Sequence, residues 1–134
     1  MRITPLVAVD GIVEIYDENI FQGIVLIERK NEPYGIALPG GFVEKGETVE
    51  NALIREMGEE LNLNVEIDRL LDVYSEPNRD PRYYVVSLVY LVKANTKPKA
   101  GDDAKRAKIY DINNLPMDKL VFDHEKIITD YLKR

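Results

Sequence analysis

Apolar and polar positions along this chain follow two different rhythms, and their alternation predicts most of the fold. From Ile3 to Ile15 and from Ile20 to Arg29, branched apolar residues crowd two runs separated by the polar turn Asp17-Glu18-Asn19, which reads as two strands. Between Thr48 and Leu61 the spacing becomes helical. With Val49 at zero and about 100° per residue, Ala52, Leu53, Met57 and Leu61 fall in one apolar arc. Thr48 is the expected N-cap, and Glu50 suits the positive end of the helix dipole. Arg82 to Ala94, rich in Tyr and Val, and Ala107 to Ile112 predict further strands. Ile127, Ile128, Tyr131 and Leu132 predict a second helix from Asp123 to Leu132, with Asp123 as its cap. No repeat, low-complexity tract or linker interrupts the pattern, so one domain over residues 1–134 is expected.

The first helix carries its acids in an unusual place. On the same wheel Glu56 falls at roughly 340° and Glu60 at roughly 20°, inside or at the edge of the apolar arc, with Glu59 near its border. Like charges about 5.5 Å apart on one turn repel by roughly 3 kcal/mol at an effective dielectric of about 20. A cation would offset this repulsion. Oxygen ligands with no Cys or His beside them select a hard ion, so Mg2+ or Mn2+ is expected, completed by water and a substrate phosphate.

Charge and composition narrow the partners. The formal net charge of -6 opposes binding to nucleic acid or to an anionic membrane, so neither is expected as a partner. An anionic ligand must therefore meet local positive charge. Arg29 and Lys30 at the end of the second strand, and Arg79 and Arg82 in the Pro-containing segment 75–82, are the candidates, and guanidinium groups can grip phosphate in bidentate fashion. The chain has no Cys, and the apolar run Pro5 to Val9 is too short for a signal peptide and ends at Asp10. A cytoplasmic protein is the expectation.

Gly41, five residues, Glu47, seven residues, then Arg55-Glu56-Met57-Gly58-Glu59-Glu60-Leu61-Asn62-Leu63 resembles the Nudix box, G-x5-E-x7-R-E-U-x-E-E-x-G-U, in which U is bulky and apolar. One position departs, since Asn62 stands where the family has glycine; Asn is the next best tolerated residue in the left-handed conformation expected there. The resemblance implies an α/β/α sandwich with a curved mixed β-sheet between helices. It also implies Glu56 and Glu60 as principal metal ligands, Glu59 as a third ligand or their close partner, and the Gly41 carbonyl as a further donor. Glu47 and Arg55 would form an ion pair tying loop to helix. A diphosphate is the implied substrate, cleaved by a metal-activated water with no covalent nucleophile.

Outside the box, Leu38-Pro39-Gly40-Gly41-Phe42-Val43-Glu44, Arg79-Asp80-Pro81-Arg82 and Phe122-Asp123-His124 look like the small ADP-ribose pyrophosphatases of bacteria and archaea. That similarity implies hydrolysis of ADP-ribose to AMP and ribose 5-phosphate. Nucleoside triphosphates or dinucleoside polyphosphates are the alternative substrates, and a non-catalytic nucleotide sensor is the alternative role. In that branch a His commonly follows the Arg-Asp-Pro-Arg segment, whereas here Tyr83-Tyr84 does. Tyr34, Tyr83, Tyr84 and Phe122 are candidates to stack on adenine, and His124, the only histidine, is a candidate ribose contact. Asp102 or Asp103, in a Gly-Asp loop before the last strand, is the expected loop carboxylate, acting as base or extra ligand. Relatives of this kind are frequently homodimers, and the apolar N-terminal strand would serve either an interface or the sheet of a monomer.

Overall fold

The computed structural model describes residues 2–101 and 104–134. Asp102 and Asp103 therefore lie outside the described residues. A single mixed sheet carries β1 (Leu6–Asp17), β2 (Ile20–Arg29), β3 (Ile36–Ala37), β4 (Gly40–Phe42), β5 (Glu66–Tyr74), β6 (Val85–Ala94) and β7 (Ala104–Tyr110). Its main path runs β3-β2-β1-β6-β5, with β4 also paired to β1 and β7 to β2. β1 lies parallel to β6 and antiparallel to β2 and β4. The helices are α1 (Val49–Leu61) and α2 (His124–Lys133).

Side-chain alternation along the central strands sorts the core into two layers. Val9, Val13 and Ile15 of β1, with Val25 and Ile27 of β2, pack with Leu53, Met57 and Leu61 of α1. Ile12, Ile24 and Leu26 point the other way and pack with Ile127, Ile128 and Tyr131 of α2. The sheet is thus sandwiched between the helices, as the Nudix resemblance implied. Residues 17–20 turn through Glu18 and Asn19, both left-handed, at φ 49° and 65°. That geometry suits the twist of a two-residue hairpin.

Several boundaries move from their sequence expectations. β1 begins at Leu6 rather than Ile3, β6 at Val85 rather than Arg82, and β7 spans Ala104–Tyr110 rather than Ala107–Ile112. β5 was not foreseen. Its register shifts twice, between Ile67 and Arg69 and between Leu70 and Asp72, so bulges scramble the two-residue alternation that would reveal a strand. Thr48 caps α1 as expected, its hydroxyl accepting from the Asn51 N–H at 3.1 Å. Asp123 precedes α2 but makes no capping hydrogen bond, because its carboxylate is taken by Arg79. At the foot of α1, Asn62 adopts φ 55° and ψ 38°, the left-handed residue expected where the box has glycine.

Candidate active site

One cavity of about 370 Å³ opens beside the N-terminal half of the sheet's centre. Its wall includes Arg29, Gly40, Gly41, Glu56, Glu60, Arg79, Arg82, Phe122 and His124, nine of the residues singled out from the sequence. Segments more than eighty positions apart thus meet at one surface.

The end of the cavity toward α1 is acidic. Glu60, only 4% exposed, accepts from the Gly40 N–H at 3.1 Å. The two glycines make this approach possible. A Cβ on Gly41 would lie 2.5 Å from the Glu56 carboxyl carbon, and a Cβ on Gly40 would lie 2.2 Å from the Val9 carbonyl oxygen and 2.4 Å from Asp10 Oδ1. Arg55 anchors the loop to the helix. Its Nη2 donates to Glu47 Oε1 at 2.6 Å and to the Phe42 carbonyl at 3.0 Å, and its Nη1 to Glu56 Oε1 at 2.7 Å and Glu59 Oε1 at 3.3 Å. The hydrogen bonds from Arg55 hold the Glu47 carboxyl below the usual range. Glu59 pairs with Arg55 at the solvent side of the helix and does not line the cavity.

Among the described residues, no group of three or more acidic or imidazole side chains lies close enough to hold an ion by itself. The donors at this end are the carboxylates of Glu56 and Glu60 and the backbone of Gly40 and Gly41. That is an all-oxygen set, which fits a divalent cation that takes its remaining ligands from water and substrate phosphate.

The opposite wall is cationic and aromatic. The guanidinium carbons of Arg29 and Arg82 stand 5.1 and 5.3 Å from the centre of the Phe122 ring. Phe122 has φ 57°, which is rare for a bulky residue and is held here by its surroundings. Arg79, 8% exposed, grips Asp123 with two hydrogen bonds of 2.9 and 2.7 Å. Arg82 does the same to Asp80, at 3.2 and 3.0 Å. Burial pushes the Asp80 carboxyl up, but the side-chain and backbone bonds from Arg82 outweigh it and leave Asp80 below its ordinary value.

His124 is buried, and its Nδ1 accepts from the Leu38 N–H at 2.9 Å. Burial, reinforced by the charges of Arg79 and Arg29, pushes its pKa down to about 3. The ring is therefore neutral at pH 7, with its proton on Nε2. Asp10 is not among the expected site residues, although it lies inside the expected strand, directly after the apolar run Pro5 to Val9. Asp10 pairs in register with Gly40 of β4 and Val89 of β6, and the Ser87 hydroxyl donates to its Oδ2. Burial raises its pKa to about 6, with Ser87, Arg79 and Arg29 pulling the other way. An acid at an inward position of an apolar strand is a signal that sequence reading could have used, since a buried carboxylate requires partners.

Three aromatic candidates, Tyr34, Tyr83 and Tyr84, stand apart from this cavity. Tyr34 is 66% exposed and lines a separate surface depression with Glu28, Lys105 and Asp118. Tyr83 and Tyr84, 50% and 47% exposed, are not on the cavity wall.

The pairing of a glycine loop with acids one and five residues past Arg55 on α1, all at one cavity end, finds its counterpart in known proteins. The NUDIX domain model matches residues 5–131. This chain belongs to the NUDIX family. It is 54% identical over 132 residues to the ADP-ribose pyrophosphatase of Methanocaldococcus jannaschii, covering 96% of this chain and 74% of that protein. Among solved structures, a MutT/nudix family protein from Enterococcus faecalis superposes with a TM-score of 0.84 at 30% identity, over 100% of this chain and 63% of that one. A bifunctional NMN adenylyltransferase/ADP ribose pyrophosphatase from Francisella tularensis, complexed with AMP and a manganese ion, gives 0.82 at 31% identity, over 97% of this chain and 42% of that one. The NUDIX chain thus spans less than two thirds of these two solved chains. No helix among its described residues is long and apolar enough to cross a membrane.

Proposed function

We propose that this NUDIX chain hydrolyses ADP-ribose to AMP and ribose 5-phosphate. The observation that carries this reading is the polarity of one cavity, with Glu56 and Glu60 at one end and Arg29, Arg82 and the Phe122 ring along the other. The named activity of the Methanocaldococcus relative, at 54% identity, supports the same substrate.

Glu56 and Glu60 would hold a divalent cation, Mg2+ or Mn2+, with the backbone at Gly41 beside them and Glu59 supporting through Arg55. When bound, such an ion supplies neutralisation of the diphosphate charge and a water acidic enough to attack phosphorus. Arg29 and Arg82 bring local positive charge to a chain whose formal net charge is -6, and orient the anionic substrate against the glutamates. Phe122 offers its face to the adenine, and neutral His124 acts as a hydrogen-bond donor rather than as a cationic phosphate ligand. For the loop carboxylate, Asp102 or Asp103 is the proposed base. The Gly101 N–H donates to the Glu60 carbonyl at 2.7 Å, which ties the start of that segment to the end of α1. Exposed Ile3, Leu6 and Val7 support a homodimer, which light scattering would test. The absence of Cys from the sequence supports a cytoplasmic setting.

The test is product analysis with Mg2+ or Mn2+ over ADP-ribose, nucleoside triphosphates, diadenosine polyphosphates and sugar nucleotides, with Glu60→Gln as control. AMP and ribose 5-phosphate should dominate, and Glu60→Gln should lose about 100-fold or more in kcat while keeping its melting temperature. Preference for another substrate, or near-normal turnover by Glu60→Gln, would overturn the substrate or the ligand assignment respectively.

A further inference from the structure

The floor of the cavity holds two polar groups whose chemistry complements each other and which the diphosphate does not need. Asp10 lies on the face of β1 that carries Ile12 into the α2 layer, and His124 opens α2 itself. Each has one side satisfied by the protein, Asp10 Oδ2 by Ser87 and His124 Nδ1 by the Leu38 N–H. Among the described residues no hydrogen bond reaches Asp10 Oδ1 or His124 Nε2, and none of their buried polar side-chain atoms is both sealed and unpartnered. These two atoms therefore open on the cavity that both residues line. Arg29 and Arg79 act electrostatically on both, which makes them neighbours of the same two guanidinium groups. They are also anchored on one extended segment, His124 at Leu38 and Asp10 beside Gly40, roughly 7 Å apart along the backbone.

The pair presents one acceptor, a carboxylate oxygen, and one obligate donor, the Nε2–H of a neutral ring. We propose that Asp10 and His124 read the edge of the adenine base, Asp10 accepting from the exocyclic amine and His124 donating to a ring nitrogen next to it. This rests on the ADP-ribose reading for the substrate and adds its base specificity. Adenine offers that donor and acceptor side by side. Hypoxanthine replaces the amine with a carbonyl, whose oxygen would face the Asp10 carboxylate and leave both acceptors unpaired. A purely hydrophobic slot would not discriminate the two bases strongly, whereas a site built on hydrogen bonds does. Phe122, at the wall above, supplies stacking to either base and so contributes affinity without choosing between them.

The experiment compares ADP-ribose with its hypoxanthine analogue, inosine diphosphate ribose, in the wild type, Asp10→Asn and His124→Asn, with thermal melting as the fold control. Asn at 10 keeps the shape and can donate to a carbonyl. Asn at 124 keeps an acceptor for the Leu38 N–H while removing the Nε2–H. The wild type should prefer ADP-ribose, and Asp10→Asn should shrink that preference by at least about 30-fold, with the change in KM. His124→Asn should raise KM for ADP-ribose by about tenfold and serves if Asp10→Asn fails to fold. An unchanged preference in the folded variants would overturn the proposal. Calorimetric binding of AMP and IMP separates this from failure of the substrate assignment. If ADP-ribose is not hydrolysed, AMP favoured over IMP in the wild type but not in the Asp10 or His124 variant still supports base reading, and equal binding overturns it.

Discussion

The two ends of the cavity are built in opposite ways. The acidic end comes from one stretch of chain, Gly40 to Glu60, in which a glycine pair, an anchoring arginine and one helix bring everything within a few turns. The floor is gathered from β1, the 79–82 segment, β6 and the start of α2, and is fixed by buried pairs that cross the whole fold. A local site can lose its chemistry and stay folded. In a site assembled from distant buried charges, removing one partner of a charge pair strains the fold as well as the site.

The largest test of that contrast lies in the floor. Arg79→Ala would leave Asp123 half-buried without its two hydrogen bonds and should destabilise the protein by roughly 3 kcal/mol, measured by urea unfolding. A loss under about 1 kcal/mol would erase the distinction between the ends. Next come the adjacent glycines, where the two ends touch. Gly40→Ala drives a Cβ into the Val9 backbone and should cost about 2 kcal/mol or more, because no flexible side chain can yield there. Gly41→Ala has the end of the Glu56 side chain, rather than backbone, as its nearest neighbour, so it should melt near the wild-type temperature yet lose about 100-fold in kcat by displacing that carboxylate. Equal effects at the two positions would refute this separation.

A smaller effect is expected at the foot of α1. Asn62→Ala removes a left-handed residue that tolerates its conformation, together with its 2.7 Å bond to the Lys99 carbonyl, and should cost about 1–2 kcal/mol. Asn62→Gly should cost less than the Ala variant in the same denaturation assay. The subtlest effect is on pH dependence. His124 stays neutral in the folded protein down to about 3, whereas the unfolded chain protonates it near 6.5. Its contribution to stability is therefore complete above about 6.5 and falls as pH drops toward 3. Asp10, raised to about 6, acts in the opposite sense, since the folded protein holds its proton more tightly between about 6 and 3.8. His124→Asn should thus flatten the loss of stability on acidification, and the single imidazole resonance of the wild type should show no NMR inflection near 6.5.

The acidic end could be read in advance for the same reason that it is robust. Thr48, Arg55, Glu56 and Glu60 obey helical spacing, and helical spacing is written along the chain. The wheel that put Glu60 within the apolar arc was matched by its 4% exposure. The floor could not be read this way, because nothing local links Asp10 to Ser87 or Arg79 to Asp123. Asp123 even carried a plausible local role as a helix cap that a distant arginine then displaced. β5 escaped for a related reason, its alternation broken by bulges that only its pairing with β6 explains. Tyr34, Tyr83 and Tyr84 had the right chemistry, but which aromatic faces the cavity depends on loop paths rather than composition.

The parallel pairing of β1 with β6, in which Leu6 meets Val85 and Ile15 meets Ala94, also governs how the chain reaches this state. The middle of the sheet closes a loop containing most of the molecule, so the search for that contact sets a slow tempo for folding compared with a helical chain of equal size. Until it closes, Asp10 has neither Ser87 nor α2 beside it, while Thr48 to Leu61 can already flicker as helix. The acidic end thus has a structured precursor early in folding, and the base-reading floor comes into being only with the native state.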